Sequence, residues 1–166
     1  PTSAAEDMAR TCGGTSAAGD PSRSGIERAT ASFNAASAYN ALAATGAASS
    51  FCQSTSACSQ MALSLLDQSL ASQQDGQISL TGSEVQIATN KHFMLRRTLE
   101  RSKALRSVAN SGAANASCGT RTTCLTDAAA LLSSVTVEIP AASEAPDAAR
   151  LGCEILDTRW RVNSDI

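Results

Sequence analysis

Small and apolar residues recur along this chain at helical intervals over five stretches. The first, at about 24–47, carries Ile26, Ala29, Phe33, Ala36, Asn40 and Ala43 at a seven-residue spacing with one polar interruption. Such a stripe predicts a seam along which another helix comes within about 8 Å, and Gly46 supplies the stop. A second helix, about 57–74, turns Met61, Leu63, Leu65, Leu66 and Leu70 inward and ends at the turn signal Asp75-Gly76. The third, about 84–111, sets Ile87, Met94, Leu95, Thr98, Leu99, Ser102, Leu105 and Ala109 on one face at 100° per residue. A short helix at about 123–134 follows. The last, about 146–158, runs through Leu151, Ile155 and Leu156, with Pro146 fitting its first turn after Ser143.

Two stretches break this period. Ile78, Leu80, Val85 and Ile87 alternate around Thr81-Gly82 as a short hairpin would, while Ser83 and Gln86 read as a capping box for the third helix. The favoured reading is an extended connector with helix from about 84. Val135 to Ile139 also alternates, then stops at Pro140, which predicts an extended segment across the bundle. Residues 1–22 hold Gly13-Gly14 and Asp20-Pro21 and read as an irregular arm.

The helical stretches form a repeat. Cys52-Gln-Ser-Thr-Ser-Ala-Cys58 and Cys118-Gly-Thr-Arg-Thr-Thr-Cys124 lie 66 residues apart, each follows Gly-Ala-Ala, and each leads to paired leucines, Leu65-Leu66 and Leu131-Leu132. The fold class expected is therefore all-α: a disulfide-stapled bundle of two related helical hairpins, about 24–74 and 84–134, plus a C-terminal helix, in a single domain over 23–166. Hydroxyls inside the two loops suit capping of the helices they open.

Six cysteines and one histidine favour disulfides of an oxidising compartment over metal ligation, because zinc sites use shorter cysteine spacings. Local symmetry pairs Cys52 with Cys58 and Cys118 with Cys124, leaving Cys12 with Cys153 to tether the arm. Each short loop would contribute roughly 2 kcal/mol and the long one roughly 5 kcal/mol. A cross-repeat pairing, Cys52 with Cys118 and Cys58 with Cys124, stays open at this point.

Alanine and serine make about a third of the 166 residues and aromatics only 3%, which suits closely approaching helices better than a sheet or a bulky core. A net charge of -2 argues against a globally basic nucleic-acid binder. No apolar run is long enough to span a membrane. The chain opens without a methionine or signal-like segment, which fits a removed leader or a trimmed chain.

The charge anomaly is the third helix, where six of the 13 lysines and arginines lie between Lys91 and Arg106. His92, Phe93, Arg96, Arg97, Arg101 and Lys103 form the candidate partner-binding face, with Phe93 about 160° from the core direction. Two outcomes are in play: a docking surface for an anionic partner, or internal struts pairing with acids such as Asp67, Asp127 or Glu154. Asn115-Ala-Ser117 is a glycosylation sequon if a eukaryote secretes the chain. No nucleotide loop, nucleophile elbow, zinc or calcium motif is present, and no cofactor is implied. The expectation is a non-enzymatic secreted, periplasmic or surface-exposed interaction or structural subunit with a protein partner, in an envelope or secretion assembly. The rivals are a carrier with an apolar cavity lined by Leu63, Leu66, Met94 and Leu99, and an enzyme built on His92 against a serine or carboxylate.

Overall fold

Alanine's strong helix propensity and the seven-residue spacing of small side chains produce the first hairpin. In the computed structural model, which describes residues 25–45, 52–76, 84–137 and 145–166, helix α1 (Gly25–Thr45) packs along α2 (Thr55–Gly76). Ala29, Phe33, Ala36, Asn40 and Ala43 are buried, so the seam forms as its spacing predicts, while Ile26 at its start stays exposed. Small residues bring the backbones close enough for side chains to bond the opposite helix. Ser69 Oγ donates to the Ala29 carbonyl at 2.7 Å. The polar interruption is satisfied in the same way: Asn40 Nδ2 donates to the Glu100 carbonyl at 2.9 Å and to Glu100 Oε2 at 2.8 Å.

The second hairpin repeats the plan with α3 (Glu84–Asn110) and α5 (Arg121–Ser133), where Ser102 Oγ donates to the Ala128 carbonyl at 2.9 Å. Positions 66 residues apart match in burial: Phe33 and Leu99, Ala38 and Ala104, Ala43 and Ala109, Ala62 and Ala128, Leu66 and Leu132 are all buried. Both hairpins carry the expected clip, Cys52–Cys58 and Cys118–Cys124, with Cα atoms 5.0 and 5.4 Å apart, which removes the cross-repeat alternative. Each clip opens the second helix of its hairpin and is capped from within. Ser54 Oγ accepts from the Ala57 N–H at 3.2 Å, and Thr120 Oγ1 accepts from the Thr123 N–H at 3.1 Å. The first disulfide packs with Leu42 and Ala43 in a small satellite cluster, whereas Cys124 belongs to the main core.

Helix α6 (Pro146–Asp165) lies against α3 and α5 through Ala149, Leu151, Ile155 and Val162. It is fastened to the end of α5 by Arg159, whose guanidinium donates to the carbonyls of Leu132 and Val135, supplying partners that a helix C-terminus lacks. Val135 and Val137 follow α5 outside any helix and pack on the core. Among the described residues there is no strand, and no helix is long and apolar enough to cross a membrane.

Several details differ from expectation. A four-residue helix, α4 (Ala114–Ser117), precedes the second clip, and α6 continues to Asp165, so Trp160 is helical. Met61, Leu70, Met94 and Leu156 were assigned inward by the wheel but are exposed. The wheel allots each helix one broad apolar face, whereas closely packed small-residue seams cover only a narrow stripe and leave flanking large side chains outside. The arm with Cys12, the connector over 77–83 and Ile139 lie outside the described residues.

The two clips also share a left-handed backbone position, occupied by Gln53 at φ 43° and by Gly119 at φ 85°. A side chain there crowds the following carbonyl oxygen, at about 1–2 kcal/mol. Gly119→Ala is therefore expected to lose about 1 kcal/mol of stability, whereas Gln53→Gly should change it by less than about 0.5 kcal/mol, since relieved strain is offset by the freer unfolded chain. Thermal melts of the two variants check this asymmetry.

Candidate functional site

Helix α3 contacts every other helix among the described residues, so it has no single solvent face on which six basic-helix residues can line up. Phe93, expected near the middle of an exposed charged face, is half-buried and packs edge-on against Phe33 of α1, ring centroids 5.2 Å apart. Arg96 is exposed but lays its guanidinium over the Phe33 ring, 5.4 Å from the centroid. Arg97 is only 9% exposed and sits over Phe93 at 5.7 Å. Burial, with Arg101 nearby, pulls Arg97 below the ordinary guanidinium value, though an arginine in a protein stays charged. Arg101 pairs with Asp67 of α2 at 2.5 Å. Lys103 pairs with Glu100 at 2.9 Å and with Glu154 of α6. His92 is half-buried one residue before Phe93. The geometry thus differs from a docking face centred on Phe93: α1 covers the aromatic ring, and Asp67 and Glu154, both anticipated as strut partners, neutralise Arg101 and Lys103.

A concave feature among the described residues lies elsewhere. A cleft of about 890 Å³ opens between α1, the first clip, the C-terminal half of α3 and α6. Asn40, Ala41 and Ala44 form one wall, Ser54 to Ser56 of the clip form the rim, and Ser107 and Asn110 lie along α3. Glu154, Asp157, Thr158 and Arg161 close it from α6. Of the six basic-helix candidates, Lys103 lines this cleft and His92 does not.

The charges in the cleft are compensated by one another. Besides the Lys103 pairs, Arg106 bonds Asp165 at 2.6 Å and Arg161 bonds Asp157 at 2.8 Å. Burial alone would lower the Lys103 ammonium, but Glu100 and Glu154 more than offset this and hold it above the ordinary lysine value. Asp165 accepts from Asn110 Nδ2 at 2.9 Å as well as from Arg106, and these two hydrogen bonds depress its carboxyl below the ordinary range.

This arrangement can hold a polar ligand by hydrogen bonding; it offers no unpaired cation for an anion. The leucines that would enclose an apolar ligand are used otherwise, since Leu63, Leu66 and Leu99 are packed in the core and Met94 is on the surface. Among the described residues, no group of three or more His, Cys, Asp or Glu side chains is placed to hold a metal ion. Cys153 is exposed and unbridged, and its expected partner Cys12 lies outside the described residues. Asn115 of the sequon is exposed on α4. The cleft itself escaped sequence reading because it is made by three helices distant in sequence; the Ser54–Ser56 hydroxyls were its one local signal. Comparison with protein-family models, with curated proteins and with solved structures finds no match, so the functional argument rests on this geometry.

Asp165 supports a pH prediction. A carboxyl depressed in the folded state contributes stability above its unfolded value and loses it as pH falls through the folded value. The melting-temperature gap between the wild type and Asp165→Asn should be constant from neutral pH to about pH 5, then shrink and close on further acidification. A gap that does not change with pH would show that the carboxylate charge is irrelevant to the α3–α6 contact.

Proposed function

We propose that this chain is a non-enzymatic, disulfide-stapled interaction subunit that works outside the reducing cytoplasm, as a secreted, periplasmic or surface-exposed protein. It seats a polar segment of a protein partner in the cleft between α1, α3 and α6. The observation that carries the reading is the lining of that cleft, in which hydroxyl and amide side chains surround cations already bonded to acids of the same chain. An anionic ligand would have to break one of those pairs, and a wholly apolar one would bury the hydroxyl, amide and charged groups of the lining without giving them partners. A peptide segment that offers backbone amides and hydroxyls meets neither penalty, and protein interfaces carry about one hydrogen bond per 100–200 Å². The two clips fit an oxidising compartment, and the first holds the cleft's rim in place before a partner arrives. An envelope or secretion assembly is a setting that needs such a stapled subunit.

Filling the cleft tests this. Ala41 and Ala44 are exposed on one side of α1, so Ala41→Trp with Ala44→Trp blocks the cleft while leaving the buried seam alone. The doubly substituted protein should melt like the wild type yet fail to capture the partner that the wild type retains from its native source. Undiminished capture of the same partner would overturn the cleft as the binding site.

A further inference from the structure

The repeat extends beyond the second hairpin. Asn40 of α1 donates to the Glu100 carboxylate of α3 at 2.8 Å. Arg106, 66 residues after Asn40, bonds Asp165 of α6 at 2.6 Å, one residue short of the position equivalent to Glu100. Helix α6 therefore meets α3 as α3 meets α1. It also packs on both helices of the hairpin before it, α3 and α5, as α3 packs on α1 and α2. At the 65-residue offset that joins Glu100 to Asp165, the exposed Arg96 matches the exposed Arg161 and the buried Arg97 matches the buried Val162. Helix α6 thus holds the place of the first helix of a third unit.

In the first two units that helix carries a second one, α2 on α1 and α5 on α3. Ser102, two residues beyond Glu100, reaches α5 through the Ala128 carbonyl, about 160° round α3 from Glu100. On α6, Trp160 and Leu156 stand five and nine residues before Asp165, about 140° and 180° round in the same sense. The two side chains bracket the direction from which a second helix would pack. Among the described residues no helix fills that place, and Leu156 is 42% and Trp160 68% exposed. A unit that closes a stacked array presents a polar outer face. This one presents a leucine and the chain's only tryptophan.

We propose that α6 of a second copy fills this place, packing antiparallel across a two-fold axis so that each copy completes the other's third unit. The proposal is independent of the cleft reading. The helices in the equivalent place present buried apolar pairs four residues apart, Ala62 and Leu66 on α2 and Ala128 and Leu132 on α5. Leu156 and Trp160 have the same spacing but are exposed, so a second copy offers the element that the place calls for. One two-fold contact then covers both copies' apolar faces. Charge does not oppose it, because α6 carries three arginines and four acidic residues and two copies meet without a large repulsion. A single helix pair is a small interface, so the dimer should dissociate in the micromolar range.

Sedimentation of the full-length oxidised protein should show a monomer–dimer equilibrium across the micromolar range. Trp160 supplies the whole tryptophan signal, and its emission should move to the blue as the dimer forms. Leu156→Glu and Trp160→Glu should each weaken the dimer by at least about ten-fold, with unchanged far-ultraviolet circular dichroism. Cys153→Ser should leave the equilibrium intact, as should Ala41→Trp with Ala44→Trp, which separates this contact from the cleft and from a bridge between copies. A monomer at every concentration, a dimer that survives both glutamate substitutions, or a dimer lost with Cys153→Ser or on filling the cleft would each overturn the proposal.

Discussion

The helix at the centre of this bundle is also its most basic one, and the neighbours are arranged around that fact. Six of the chain's 13 lysines and arginines lie between Lys91 and Arg106, on a helix that contacts each of the other described helices. A cation removed from water needs a paired charge, a hydrogen-bond acceptor or an aromatic face. Three of the neighbours, α1, α2 and α6, supply one. Helix α1 brings the Phe33 ring, against which Phe93 and Arg96 pack. Helix α2 brings Asp67 to Arg101, and α6 brings Glu154 to Lys103 and Asp165 to Arg106. Such pairs add little stability individually when partly exposed. Their directional effect is larger, because a shift of α6 along α3 would separate two acid–base pairs together.

Helix-to-helix adhesion comes from a different source. Alanine buries little area per residue, and at about 25 cal/mol per Å² a seam of alanines contributes less than one of leucines. The gain is proximity, which lets Ser69, Ser102 and Asn40 bond backbone carbonyls of facing helices. The disulfide clips add what the modest core lacks, by restricting the unfolded chain at both hairpin turns. The cleft follows from the same layout. Helices α1 and α6 each pack on α3 without forming an extensive contact with one another, and the gap is lined by whatever polar residues the three helices present there.

Features set by short-range chemistry were legible in the sequence. The x5 cysteine loops with internal Ser and Thr gave both clips and the caps at Ser54 and Thr120, and the repeat gave the hairpin plan. The start of α3 near Glu84 was readable in the sequence, although the Ser83–Gln86 capping box expected there lies outside the described residues, and that of α6 was readable from Pro146. Features set by tertiary partners were not. Helix α6 continues past Thr158 because Arg159 reaches the end of α5 and Asp165 reaches Arg106, neither of which leaves a periodic trace. Phe93 looked exposed because the wheel cannot know that α1 lies over it. The basic run was visible as a run, but only the fold shows which acids meet it.

Charge reversal at Arg97 and Arg101 together is the most direct test of α3 as an internally compensated hub. A glutamate at position 97 would replace a guanidinium stacked on Phe93 at a site only 9% exposed, and one at 101 would face Asp67. A loss of a few kcal/mol lowers the melting temperature by about 2–4 °C per kcal/mol in a domain of this size. The account predicts a drop of at least about 5 °C, insensitive to moderate salt because Arg97 is buried. A double variant that melts like the wild type, with its only defect a salt-dependent loss of association with an anionic partner, would contradict it.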